Sequence, residues 1–175
     1  MKFKKALLVD IAETDLDKKY WDQLDELVEE KVFVTKADLP NSKELANTDC
    51  LLLGFQIPVD KAVIDAAPNL KFINVLATAY GTVDIDYAKS KGIPVSNLAG
   101  YRTESVAEFA ITVLLEQIRE LEKGKKAGRA GNFSFMGYTV KELKNSNFTI
   151  IGLGNIGGRV AEIAAGFGAN VSYIS

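Results

Sequence analysis

Short apolar runs alternate with longer amphipathic stretches through the first hundred residues. Ala6–Val9 is an apolar run ending at Asp10, the pattern of a buried strand and its exit. Asp17–Glu30 then spaces Tyr20, Trp21, Leu24, Leu27 and Val28 at helical intervals among acids and lysines, predicting an amphipathic helix. Val32–Val34, Cys50–Gly54, Phe72–Leu76 and Ile93–Val95 predict further strands, with helices at Pro40–Ala46, Pro58–Ala67 and Asp84–Lys91 between them. Gly92 follows the last of these helices as its stop. Strands and helices alternating at this spacing predict a parallel sheet covered on both faces, over residues 1–98.

The pattern changes after residue 98. Thr103–Lys123 is the longest helical stretch, with Val106, Phe109, Ala110, Val113, Leu114, Ile118 and Leu121 forming one stripe. Ser105 and Glu108 have the spacing of a capping box, and Gly124 ends the periodicity. Gly124–Gly137 is rich in Gly and Lys and reads as an extended arm. Phe148–Ile151 predicts a strand, Asn155–Phe167 a helix and Val171–Ile174 another strand, so residues 99–175 read as the start of a second βαβ domain.

Composition narrows the chemistry more than it directs it. The 175 residues are 47% hydrophobic and 25% charged, an ordinary globular balance. A net charge of −2 argues against a nucleic-acid partner held by bulk charge. No apolar run is long enough for a membrane span, so the expectation is a cytoplasmic protein with no membrane partner. The chain has no histidine and one cysteine, Cys50, which makes a metal site unexpected and removes every histidine-based acid or base. Cys50 sits in an apolar run and reads as core. Lys123, Lys125, Lys126 and Arg129 read as a solvated basic arm.

One motif carries chemistry. Gly152-Leu153-Gly154-Asn155-Ile156-Gly157 is a full G-x-G-x-x-G between a predicted strand and a predicted helix. Gly152 permits the tight turn, and Gly154 lets the backbone approach a pyrophosphate. Gly157 allows close helix–strand packing, and the helix N-terminus presents unpaired N–H groups to the anion. The acidic residue expected about 20 positions on is absent: Ser175 stands at or near that position. NAD stays the expected cofactor, but NADP is left open, since a hydroxyl accommodates a 2′-phosphate better than a carboxylate does.

Five stretches in order resemble the D-isomer-specific 2-hydroxyacid dehydrogenases: Leu76–Asp86, Gly92–Asn97, Thr103–Glu108, Arg129–Phe133 with Glu142-Leu143, and Ile150–Gly157. Thr78–Thr82 and Ala99–Ser105 look most like the glycerate dehydrogenase (hydroxypyruvate reductase) branch. The resemblance implies a flavodoxin-like α/β substrate domain followed by the beginning of a Rossmann dinucleotide-binding domain. It also implies hydride exchange between a nicotinamide cofactor and a small 2-hydroxy or 2-oxo acid. Tyr80 and Gly81 match backbone N–H donors to the substrate carboxylate, and Tyr101 matches a tyrosine that reaches the substrate in some members. Val106 matches a residue near the nicotinamide, and Asn155 and Ile156 match the pyrophosphate amides. A homodimer through Thr103–Lys123 and the following arm is implied as well.

Departures from the family pattern shape the expectation too. The family's catalytic Arg, Glu and His lie beyond the glycine motif, so no catalytic residue is expected within these 175, and the chain alone is expected to be inactive. Phe133 stands where Trp is usual. The alternative is a non-enzymatic, corepressor-like protein of the same fold that senses the dinucleotide.

Overall fold

The apolar runs become the centre of a parallel sheet because buried parallel strands need no polar alternation. A computed structural model describes residues 2–174; the candidate residue Ser175 lies outside the described residues. The chain divides into two units, Met1–Ala99 and Gly100–Ser175.

In the first unit, β1 (Phe3–Val9), β2 (Val28–Val34), β3 (Cys50–Leu53), β4 (Phe72–Val75) and β5 (Val95–Asn97) form one all-parallel sheet in the order β2-β1-β3-β4-β5. This is the flavodoxin-like order, whose direction of winding reverses between β1 and β3. Helices α1 (Lys18–Leu27), α2 (Lys61–Asp65) and α3 (Ile85–Ser90) connect the strands, aided by 3₁₀ turns at Leu39–Asn41 and Lys43–Asn47. Leu7, Val9, Leu51, Leu53, Ile73 and Val75 point into the larger buried cluster. Ala6, Leu8, Cys50 and Leu52 point into a smaller one, against Trp21 and Leu24 of α1. Strand alternation thus loads both faces.

Asp49 stitches the amino ends of the strands together. Its carboxylate is 2% exposed and accepts the N–H groups of Lys4 and Lys5 at 3.1 and 3.0 Å and the Lys71 ammonium at 3.1 Å. Burial alone would oppose its ionisation, but these donors outweigh it and hold the carboxyl below the usual range.

Several expectations need correcting here. The helix expected over Asp17–Glu30 spans only Lys18–Leu27, because Val28 is already a strand residue, buried and paired with Phe3. The segment Pro40–Ala46 is a pair of 3₁₀ turns, with the Ser42 hydroxyl accepting the Glu44 N–H at 3.3 Å. The Pro58–Ala67 helix is one short piece whose start is set by Asp60, accepting the Val63 N–H at 3.0 Å. Asp84 caps α3 in the same way through Tyr87 N–H.

In the second unit, the long helix breaks. Helix α4 covers Thr103–Ile118 and α5 covers Leu121–Arg129, with Glu120 between them in the left-handed region at φ +50°. The Glu120 carboxylate accepts the Lys123 ammonium and the Thr139 N–H, and Ile118 C=O accepts Lys141 N–H, so the returning chain anchors the break. The expected arm at Gly124–Gly137 is therefore helical as far as Arg129. No capping box forms: the Ser105 hydroxyl lies inside the helix and donates to Arg102 C=O. Much of the expected stripe is not core either. Ala107 and Ile111 are the buried residues of α4, whereas Val106, Phe109 and Val113 are exposed. Strand β6 (Asn147–Ile151), helix α6 (Asn155–Gly166) and strand β7 (Asn170–Ile174) complete a parallel βαβ unit.

Among the described residues, no helix is long and apolar enough to cross a membrane. Cys50 is buried, its thiol pushed up to about 12 chiefly by desolvation, so it is an inert core residue.

Candidate functional site

The site residues fall on two constellations, one in each unit. In the second unit, β6 runs directly into the glycine turn. Gly152 adopts φ +91°, which a side chain would strain, and its N–H is tied to Ile174 C=O at 2.7 Å. A Cβ at Gly157 would lie 2.0 Å from Gly152 C=O and 3.3 Å from Ile150 Cγ2, so only glycine lets α6 start this close to β6. A Cβ at Gly154 would meet nothing within 4 Å. The open direction is where a ligand can approach the backbone. Gly154 caps α6 without any side-chain bond, and Asn155 and Ile156 occupy the first turn, whose N–H groups have no partner within the helix. Partial positive charge collects there. Val106 lies on the exposed side of the first turns of α4, and Tyr101, half exposed, precedes that helix with the Arg102 guanidinium 4.8 Å from its ring centre.

In the first unit, the carboxyl ends of the strands carry the second constellation. Tyr80 is half exposed, and Gly81 has open space around its missing side chain. Among the described residues, no carbonyl or side chain accepts the N–H of Tyr80 or Gly81, which leaves two adjacent donors for an anion. Asn97 at the end of β5 steadies this loop by donating its amide to Thr78 C=O at 2.8 Å.

The strand order also draws in residues that sequence reasoning missed. At the β1/β3 reversal, where ligands commonly bind in such sheets, a Cβ at Gly54 would lie 2.6 Å from Asp10 C=O. Phe55 follows, 61% exposed, and Gln56 adopts φ +55°. Val59 N–H bonds Thr82 C=O and Asp84 N–H bonds Val59 C=O, stitching the β3 exit loop to the Tyr80–Gly81 loop. Phe55 and Gln56 thus join Tyr80 and Gly81 at one end of the sheet. The glycine directly after the apolar run Cys50–Leu53 was the available signal.

The first unit is thus a flavodoxin-like parallel α/β sheet with free loop amides at its carboxyl ends, and the second carries a dinucleotide-type glycine turn. The family model described as D-isomer specific 2-hydroxyacid dehydrogenase, catalytic domain, matches residues 9–165. The chain belongs to that family. It is 38% identical over 120 residues to a hydroxypyruvate reductase of Blautia hydrogenotrophica, covering 65% of this chain and 37% of that one. It is 30% identical over 167 residues to a glyoxylate reductase of Thermococcus kodakarensis, covering 88% of this chain and 49% of that one. The crystal structure of D-lactate dehydrogenase from Aquifex aeolicus, complexed with NAD and lactic acid, superposes with a TM-score of 0.78 at 25% identity, over 96% of this chain and 50% of that one. The chain spans half or less of the length of these relatives.

Proposed function

We propose that these residues form the amino-terminal part of an NAD(P)-dependent oxidoreductase acting on the CH–OH group of a small D-2-hydroxy acid, in the direction of hydroxypyruvate or glyoxylate reduction. The observation that carries this reading is the glycine turn: a positive φ at Gly152, an unobstructed backbone at Gly154 and a contact at Gly157 that only glycine allows. These residues fit a dinucleotide. The N–H groups around Gly154, Asn155 and Ile156 would hold its pyrophosphate, and Val106 would line the nicotinamide end. When bound, the nicotinamide supplies hydride exchange with the carbon of the 2-oxo acid.

The chain's own residues bind and orient. Tyr80 and Gly81 N–H take the substrate carboxylate, fixing the carbonyl in place, with Phe55 and Gln56 at the same end of the first unit's sheet. Reduction also needs a proton at the carbonyl oxygen, and no histidine exists among the 175 residues to deliver it. The chain by itself therefore binds without turning over.

Calorimetric titration with ADP and NADH tests the reading. Binding is expected to be weak and to vanish in Gly154→Val, which places a branched side chain in the open approach, its Cβ meeting nothing within 4 Å. Equal binding by the variant and the parent chain would reduce the loop to a structural turn. Turnover of hydroxypyruvate or glyoxylate by the 175-residue chain alone, above a no-protein control, would overturn its inactivity.

A homodimer through α4, α5 and the loop after them belongs to the same proposal. Phe109, Phe133, Phe135 and Met136 are each more than two-thirds exposed, far more apolar surface than a solvated face needs. Light scattering is expected to give twice the 19.1 kDa chain mass. A monomer mass unaltered by Val113→Glu would end the dimer reading.

A further inference from the structure

We propose that the ion pair between Glu104 and Arg159 is a positioning device for the dinucleotide, setting α4 in register with α6 so that the nicotinamide end and the pyrophosphate end of the cofactor are both met. This rests on the dinucleotide reading of the glycine turn. Arg159 Nε donates to Glu104 Oε2 at 2.9 Å, and Arg159 Nη1 donates to Glu162 Oε2 at 2.8 Å. Glu162, one turn along α6 from Arg159, thus holds the guanidinium in place for Glu104, which belongs to the first turn of α4.

The packing beneath the pair shows why register needs an extra determinant. Helix α4 packs directly on α6, and the buried residues of the two helices are Ala107, Ile111 and Ala164. At the amino end of α4, Ala107 permits close approach but interlocks little, since the large buried side chain Ile111 lies a turn further on. The first turns of α6 add no bulk, since Gly157 and Gly158 precede Arg159. Arg159 is the first long polar side chain of α6, and its bond to Glu104 spans the two helices at their amino ends. On the dinucleotide reading that end would carry both cofactor contacts: Asn155 and Ile156 at the start of α6, and Val106 two residues after Glu104. A slip of α4 along α6 leaves the pyrophosphate cradle whole and moves Val106. The pair therefore controls only the nicotinamide contact.

The test compares two ligands that share the pyrophosphate. Glu104→Arg, Arg159→Glu and the double exchange are titrated by calorimetry with ADP, which reads the glycine turn alone, and with NADH, which also reads the nicotinamide end. Both partners are partly exposed, with 62% and 38% of their side-chain surface accessible, so the effect is set at the scale of a surface pair. NADH binding is expected to weaken about two- to five-fold in each single variant at low salt. ADP binding is expected to stay within error. The double exchange, made together with Glu162→Gln so that no carboxylate faces the new one at position 159, is expected to recover NADH affinity, and raised salt is expected to shrink the difference.

Unchanged NADH binding in both single variants overturns the proposal. Equal weakening of ADP and NADH also overturns it, because the pair would then support only the fold. Lack of recovery in the double exchange has the same force. If the parent chain binds neither ligand, the dinucleotide reading itself falls and takes the proposal with it, an outcome distinct from the others.

Discussion

The two units spend their apolar residues differently. In Met1–Ala99, five strands share one sheet, and the side chains of β1 and β3 alternate between two buried clusters. Among the described residues of Gly100–Ser175, only two strands pair, and Ile151 is 86% exposed although it belongs to the same kind of apolar run as Leu51. A central strand has neighbours on both sides and layers on both faces, whereas a two-stranded ribbon covers little by itself. The same sequence pattern therefore means core in one unit and open surface in the other. Groups suited to an anion, by contrast, are present in both: free loop amides in the first and the glycine turn in the second.

The sharpest way to break this comparison is to shorten equivalent side chains. Leu51→Ala is expected to cost about 2–5 kcal/mol in denaturant unfolding, since Leu51 is completely buried in the central strand β3. Ile151→Ala is expected to stay within about 0.5 kcal/mol, as an exposed substitution does. A comparable loss at both positions would mean that the β6 surface is covered in solution.

Glycines sharpen the contrast at the next scale. Gly54→Ala drives a Cβ to 2.6 Å from Asp10 C=O and 3.0 Å from Val9 C=O, both in or beside β1. A loss of about 1–3 kcal/mol is expected, because sheet backbone has little room to give. Gly157→Ala places its Cβ 2.0 Å from the loop carbonyl of Gly152, closer still, so an unfolding loss at least as large is expected together with weakened ADP binding. A smaller loss than for Gly54→Ala, or unchanged ADP binding, would show that the loop yields without cost to the cradle.

Charge separates the units more gently. Asp49→Asn is expected to cost about 1.5 kcal/mol at neutral pH, the scale of a buried bond to a charged group. Because the folded-state carboxyl titrates below its unfolded value, its contribution is present above the unfolded pKa of about 4 and is lost as pH falls through the folded one. A melting profile from pH 7 to pH 3 is expected to fall less steeply for Asp49→Asn than for the parent chain. Parallel profiles would show that the carboxylate contributes nothing through its charge. The smallest effect is expected from Lys125→Ala in α5, whose surface bond to Glu116 is worth about 0–0.5 kcal/mol.

How legible the molecule was depends on how local each cause is. The glycine turn was readable in full because each glycine answers a constraint within a few residues: the positive φ of Gly152, the open backbone of Gly154, the contact of Gly157 with Gly152. The caps at Asp60 and Asp84 act at the same short range. The change from α1 to β2 was not readable, since Val28 satisfies both a helical stripe and a strand, and pairing with Phe3 decides between them. The break at Glu120 was hidden for the same reason, because the groups that hold it come from Thr139 and Lys141 on a returning segment.

The sequence by itself determined the alternation of strands and helices, the parallel class of the sheet, the dinucleotide-type turn and the family resemblance. Each follows from residue spacing or from steric rules that act within one turn or one strand. Only the tertiary structure decided which face of α4 is buried, choosing Ala107 and Ile111 over the broader stripe of Val106, Phe109 and Val113. Only the strand order β2-β1-β3-β4-β5, with the bonds of Val59 to Thr82 and Asp84, brought Phe55 and Gln56 beside Tyr80 and Gly81. Helix periodicity marks an apolar face without naming its partner. Adjacency of loops depends on hydrogen bonds between segments far apart in the chain, and that pairing is fixed only when the strands dock.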